Sequence, residues 1–253
     1  MGGVLDMKDV EEILSGLASQ GFEGILSPTT EERLGKRGIQ IPKPPKLTLE
    51  QSIDVIFSET RKQKALAIAK TLPQPPDIPV PSIQSLYNEI REAIILGLNG
   101  AAITLCGILV EHVLKYATYK VEIGGFAKYD SAKADEFERF ALGSAIDRAA
   151  KAGLVTPDDI HKLRYFKDTY RNPYNHYNLK KITSNYYIED VQVVDTNTGD
   201  VEVRDIAAKD DPIIQAQAKP RADADNVLEV FVFADSVVKA VWLRLTQGSD
   251  KPE

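Results

Sequence analysis

From Ser82 onward apolar residues recur every three or four positions, with Ile83, Leu86, Tyr87, Ile90, Ile94 and Leu98 on one face, which predicts an amphipathic helix. Beyond Asn99 and Gly100 the chain is apolar almost all round, through Ile103, Leu105, Ile108, Leu109, Val110, Val113 and Leu114, as in the buried centre of a bundle. Gly100, Thr104, Gly107 and Glu111 interrupt it at helical spacing. Such a stripe of small and polar residues lets another helix come close and puts a carboxylate at that contact. The uncharged run Ala93–Val110 is near the lower limit of about 18 residues for a membrane helix. Asn99–Gly100 in its middle predicts instead a turn between two helices packed on each other.

A third helix is predicted over Ser131–Ala152, ended by Gly153. A fourth opens on Thr156 as N-cap, with Pro157 at its first position and Asp158 and Asp159 in its first turn, and runs toward Leu179. The period then becomes two, so residues 185–206 read as a β-hairpin around the turn at 195–199. After a polar stretch, Asp225 caps a last apolar helix over 226–246. Ahead of Ser82, proline clusters at 41–46 and 73–81 read as stiff linkers. They bracket a helix that starts at a Thr48/Gln51 capping box and reaches about Leu72. An earlier helix is expected over 7–19. The PxxP of Pro42–Pro45 is also a form that aromatic grooves bind.

Composition narrows the function. With 253 residues, 43% hydrophobic and 27% charged, the chain can bury a sizeable core. Its net charge of −6 repels nucleic acid and anionic membrane overall, so a nucleic-acid role needs a local patch. One cysteine, Cys106, excludes an intrachain disulfide and reads as a small core residue. The start has no signal-peptide pattern, and Asp6 stands where a myristoylation signal needs Ser or Thr, so a cytoplasmic protein without membrane contact is expected. Three histidines and a lone cysteine argue against a metal site, and no cofactor is expected. No GxxxxGK[ST], GxGxxG or GxSxG motif occurs, which removes most of the weight from the enzyme classes built on them.

One segment departs from the acidic average. Between Lys162 and Lys181 stand Lys162, Arg164, Lys167, Arg171, Lys180 and Lys181 against the single acid Asp168, interleaved with Tyr165, Tyr170, Tyr174 and Tyr177. Phosphates need cations and unstacked bases need aromatic faces, so this mixture suits single-stranded nucleic acid. Lys167, Tyr170, Tyr174, Tyr177, Lys180 and Lys181 are the candidate RNA contacts. A solvated basic helix face with tyrosines filling a core has the same composition.

Within this segment Arg171, Asn172, three further residues and His176 form an R-N-x3-H pattern. It resembles the R-x4-6-H signature of the HEPN superfamily, the higher eukaryotes and prokaryotes nucleotide-binding domains. The order of elements is similar too: a helical pair whose second member bears a buried acid, an intermediate helix, then the helix with the signature. The resemblance covers roughly 81–183 plus the last helix. The fold expected is mainly α: a helical N-terminal extension with Pro-rich linkers at 1–80, a HEPN-like antiparallel helical bundle at 81–183, an acidic β-hairpin and polar connection at 184–221, and a C-terminal helix at 222–248 completing the bundle.

The resemblance implies a metal-independent endoribonuclease in which a ribose 2′-OH attacks the adjacent phosphate, in a toxin or defence setting. His176 then moves protons and Arg171 stabilises phosphoryl charge, with Asn172 orienting phosphate or ribose and Glu111 holding Arg171. It implies RNA as partner, a homodimer about this helix, and a protein partner or antitoxin. The alternative is a noncatalytic HEPN module binding nucleic acid, nucleotide or a partner protein. Arg171 is equally open to pairing a buried Glu111, and His176 to a place in the core. His112 and His161 read as structural or exposed. On one straight helix Arg171 and His176 point about 140° apart, so a kink at Pro173 or a second chain must bring such groups together. The hairpin and its tail carry Glu189, Asp190, Asp195, Asp200, Glu202, Asp205, Asp210 and Asp211 against Arg204 and Lys209. Such a block can lie over the basic segment and compete with phosphates, or point to solvent or a partner.

Overall fold

The computed structural model describes residues 48, 51, 54, 58–194 and 201–248. The helix expected at 7–19, the prolines at 41–46 and the turn at 195–199 lie outside them. The chain divides into two compact units, Met1–Lys62 and Gln63–Glu253. In the first, the Thr48 amide donates to Gln51 Oε1 (2.9 Å) and the Gln51 amide to Thr48 Oγ1 (3.2 Å), the reciprocal bonds of a capping box. The elements are α1 (Glu59–Thr71), α2 (Pro81–Ile95), α3 (Asn99–Glu122), α4 (Ser131–Glu138), α5 (Leu142–Lys151), α6 (Pro157–Phe166), a π-turn (Lys167–Arg171), α7 (Asn172–Asn175), α8 (Leu179–Ile182), β1 (Tyr187–Val194), β2 (Val201–Ala207) and, after a 3₁₀ turn, α9 (Pro212–Gly248). The protein is mainly helical.

α2 buries Ile83, Tyr87, Ile90 and Ile94, the stripe its sequence marks. Gly97, at φ +76°, takes the left-handed position that turns the chain into α3, just ahead of the expected Asn99–Gly100 break, which falls in the first turn of α3 instead. α3 is the hub and packs on α2, α5, α9 and the π-turn. By length and composition it would also pass for a membrane span, but half of that window is buried within the bundle. α2 and α3 are antiparallel neighbours joined by a tight turn. α9 instead runs parallel to α3: Asp223 meets Gly100 at one end, and the Trp242 ring lies 5.6 Å from Phe126 at the other.

Three expectations are corrected. The helix at Ser131–Ala152 is two, because the break after Arg139 turns both Phe137 and Phe140 onto the Arg148 guanidinium, 4.5 Å from each ring. The prolines at 73–81 are not a linker. Leu72, Ile78 and Val80 are buried in the core, and Arg91 donates to the Pro73 carbonyl, so the compact unit reaches back past residue 81 to Gln63. The last helix begins at Pro212, not 226. Asp211 caps it, accepting from the amides of Ile213 (2.7 Å) and Ile214 (3.1 Å), and it continues through Pro220. Asp225, expected as the cap, accepts the Tyr186 hydroxyl (3.0 Å).

Two buried carboxylates pin α9. Asp235 accepts Tyr87 Oη (2.7 Å) and pairs with Lys239 (2.8 Å), while Asp223 accepts Tyr174 Oη (2.8 Å) and pairs with Lys219 (2.5 Å). Burial, reinforced by these acids, pushes both phenols well above their ordinary range. β1 and β2 pair antiparallel, with a register shift between Ile188 and Val191. The hairpin is rooted by the Ala208 amide on the Tyr186 carbonyl (2.8 Å), and Glu202, Val203, Arg204 and Asp205 are exposed on β2.

Candidate functional site

The site begins with a bend. α6 starts from the expected N-cap, which closes as a capping box, the Thr156 amide donating to Asp159 Oδ2 (2.8 Å) and the Asp159 amide to Thr156 Oγ1 (3.2 Å). It does not run on to Leu179. Pro173 has no amide to offer Thr169, four residues back, and its ring crowds that carbonyl. The backbone opens into the π-turn just ahead, where the Asn172 amide reaches Lys167 O. One extra residue in a turn rotates the next stretch of helix by about 100°, so Arg171, about 140° from Phe166 on an ideal helix, comes to within about 40° of it. Phe166 is buried against the core. The bend thus turns Arg171 inward, onto α3.

Gly107 makes room. A Cβ there would stand 2.8 Å from Arg171 Cγ. One turn further along α3, Glu111 Oε2 accepts from Arg171 Nη2 at 2.8 Å. Arg171 Nη1 donates to Asn172 Oδ1 (3.1 Å), and Nε is buried with no acceptor among the described residues. Lys115 Nζ holds the other oxygen, Glu111 Oε1, at 2.8 Å. The side chains of Arg171, Glu111 and Lys115 are only 19%, 15% and 17% exposed, so this is a semi-buried cluster with two cations on one carboxylate. Lys115 was missed in the sequence, although its place four residues after Glu111 signals the pair. Between them, His112 bonds Ser82 Oγ (2.9 Å); burial and then Lys115 hold its pKa below the ordinary imidazole value.

The signature residues do not all converge. Arg171, Asn172 and Glu111 form one cluster. His176 ends α7, where its amide donates to Asn172 O (3.1 Å), and its exposed imidazole engages no partner among the described residues. Of the expected RNA contacts, Tyr177 is 66% exposed at φ +48° and Lys180 and Lys181 face solvent. Tyr174 does not fit that role, being buried and bonded to Asp223. Tyr170 is half-buried with its hydroxyl on Asn226 Oδ1 (3.3 Å), and Lys167 pairs with Asp168 (3.3 Å). The basic segment is also partly neutralised within the chain: Lys162 pairs with Asp158 (2.6 Å) and Arg164 with Asp147 (2.9 Å). These pairs are exposed and screened by water, so an incoming phosphate exchanges them cheaply.

Among the described residues no group of three or more His, Cys, Asp or Glu converges as a metal site. The arrangement offers a fixed guanidinium in a cluster with excess positive charge, and a solvated imidazole at the end of the same bent helix. Comparison with models of known families, with curated proteins and with solved structures finds no match to this chain.

Proposed function

We propose that the chain is a HEPN-type RNA-processing module, a metal-independent endoribonuclease acting as a homodimer. The reading rests on one observation, the bent helix that aims Arg171 onto Glu111 and leaves His176 exposed where it ends. In this mechanism His176 takes the proton of a ribose 2′-OH as it attacks the adjacent phosphate, and returns one to the leaving 5′-oxygen. Arg171, with Asn172 beside it and Lys115 behind, stabilises charge growing on the phosphoryl oxygens. The products are a 2′,3′-cyclic phosphate and a 5′-OH. Arg171 and His176 of two chains, paired about this helix, supply the converging set that one chain does not.

The purified protein incubated with mixed RNAs in EDTA is expected to yield 2′,3′-cyclic ends, lost in His176→Ala while the protein stays folded. Cleavage unchanged in that variant overturns the assignment. A second reading, a noncatalytic module that binds nucleic acid, nucleotide or a protein, is favoured by the engagement of Arg171: both its terminal nitrogens are taken and its Nε is buried. Binding of RNA without cleavage, the same in wild type and His176→Ala, would select it.

A further inference from the structure

Where α6 and the π-turn meet α9, aromatic side chains line a cleft of about 250 Å³. Tyr165 forms its outer wall. It is 60% exposed and stands edge-on to Tyr170, with centroids 6.4 Å apart and planes at 84°. Tyr170 leans on Phe166 (6.2 Å), and Phe166 on Phe233 of α9 (4.9 Å, 32°), so the inner wall is continuous aromatic surface. Glu229 lies on one lip, His161 and Lys162 on the other. Burial and then the Glu229 charge push the Tyr170 phenol up to about 12, which places that carboxylate beside the rings.

The lining selects its occupant. Small-ligand sites usually span about 300–1,000 Å³, so this cleft takes one ring system and leaves the rest of a molecule outside. Tyr165 offers an open π-face, which stacks flat heterocycles. A simple organic cation would meet Glu229 favourably but Lys162 unfavourably. A neutral ring with an amino group at one edge and an anion attached satisfies both lips. We propose that the cleft is a nucleobase subsite: the base stacks on Tyr165 against the inner wall, its exocyclic amino group donates to Glu229, and the attached phosphate faces Lys162 in exchange for Asp158. Adenine, cytosine and guanine carry that amino group and uracil does not. This deepens the RNA reading and rests on it for the source of the base.

The test titrates full-length His176→Ala protein with AMP and UMP by calorimetry at low salt, and with a fluorescent hexamer of adenylate by anisotropy. AMP is expected to bind more tightly than UMP. Tyr165→Ala should weaken AMP and the hexamer about ten-fold or more, as the loss of one stacked base does. Tyr165→Phe should retain binding, and Glu229→Gln should bring AMP down to the UMP affinity. Equal binding of AMP and UMP, Tyr165→Ala without effect, or displacement of AMP by choline would overturn the subsite. The two readings fail separately. RNA cleavage by the wild-type chain that ignores Tyr165→Ala removes the subsite alone, whereas Tyr165-dependent AMP binding by a wild-type chain that cuts no RNA supports the subsite and removes only the nuclease.

Discussion

Removing Arg171 tests what the inward bend is for. The Arg171→Ala variant takes one charge-assisted hydrogen bond from Glu111, worth about 1.5–3 kcal/mol, and the stem that lies over Gly107. It does not orphan the carboxylate, because Lys115 stays at 2.8 Å. The full penalty of an unpaired buried charge, about 3–5 kcal/mol, therefore does not apply, and a loss of about 2–3 kcal/mol is expected. Glu111→Ala leaves two semi-buried cations without their counter-ion, though Arg171 keeps Asn172 Oδ1 and Lys115 the Glu138 carbonyl, and should cost at least as much. In the double variant part of both losses vanishes, giving a coupling of about 1.5–2 kcal/mol between the sites. For a chain of this size that coupling corresponds to about 3–8 °C in Tm. Urea unfolding of wild type, both single variants and the double variant measures it. A coupling under about 0.5 kcal/mol would refute the view that Glu111 holds Arg171. Loss of RNA cleavage in Arg171→Ala beyond its unfolded fraction separates the phosphate role from the structural one.

Neighbouring residues give two further tests. Gly107→Ala should destabilise by about 1–3 kcal/mol, since its Cβ would stand 2.8 Å from Arg171 Cγ. Gly143→Ala in the first turn of α5, whose Cβ would meet only Lys167 Nζ at 3.9 Å, should stabilise by about 0.4–1 kcal/mol; the same sign for both in thermal melts would refute the close-approach argument. His112 is held below its ordinary pKa by burial, so below about pH 6.5 the unfolded chain binds a proton that the folded chain resists. Stability is complete above that pH and falls as pH drops through it toward the folded value. His112→Gln should flatten the slope of unfolding free energy between about pH 7 and 5.5, and an unchanged slope would count against it.

Much of this architecture is legible in the sequence where a local signal has no competitor. The caps at Thr48 and Thr156, a turn between α2 and α3 and the buried stripe of α2 follow from patterns only a few residues long, although the turn falls at Gly97 and not at Asn99–Gly100. The Gly107 and Glu111 stripe marked a close contact with a carboxylate in it, and Arg171 fills both places. Errors cluster where tertiary packing overrides a local rule. Prolines 73–81 read as linker because the burial of Ile78 and Val80 depends on helices later in the chain. The stretch ahead of 226 read as a polar connection, yet α9 begins at Pro212 and continues through Pro220, pinned nearby by Asp223 on Tyr174 and Lys219. The four tyrosines of the basic segment are alike in sequence. Their fates differ because the π-turn changes which face each joins, and a register change of one residue leaves no trace in composition.

That register change also explains why the cluster and the aromatic cleft lie side by side. Tyr170 and Arg171 are adjacent in the chain, yet Tyr170 joins the rings against α9 while Arg171 reaches Glu111 on α3. The π-turn needs Pro173 to deny Thr169 its ordinary bond, and it needs α7 held so that the strain is not released by fraying. Tyr174, buried and bonded to Asp223 of α9, supplies that hold one residue after the proline. The ring that composition suggests for stacking a base therefore works one step removed. It fixes α7 to the same helix that carries Phe233 and Glu229, so the Arg171 cluster and the cleft share one rigid support. The π-turn itself thus sets the two apart, with Tyr170 toward the cleft on α9 and Arg171 toward Glu111 on α3.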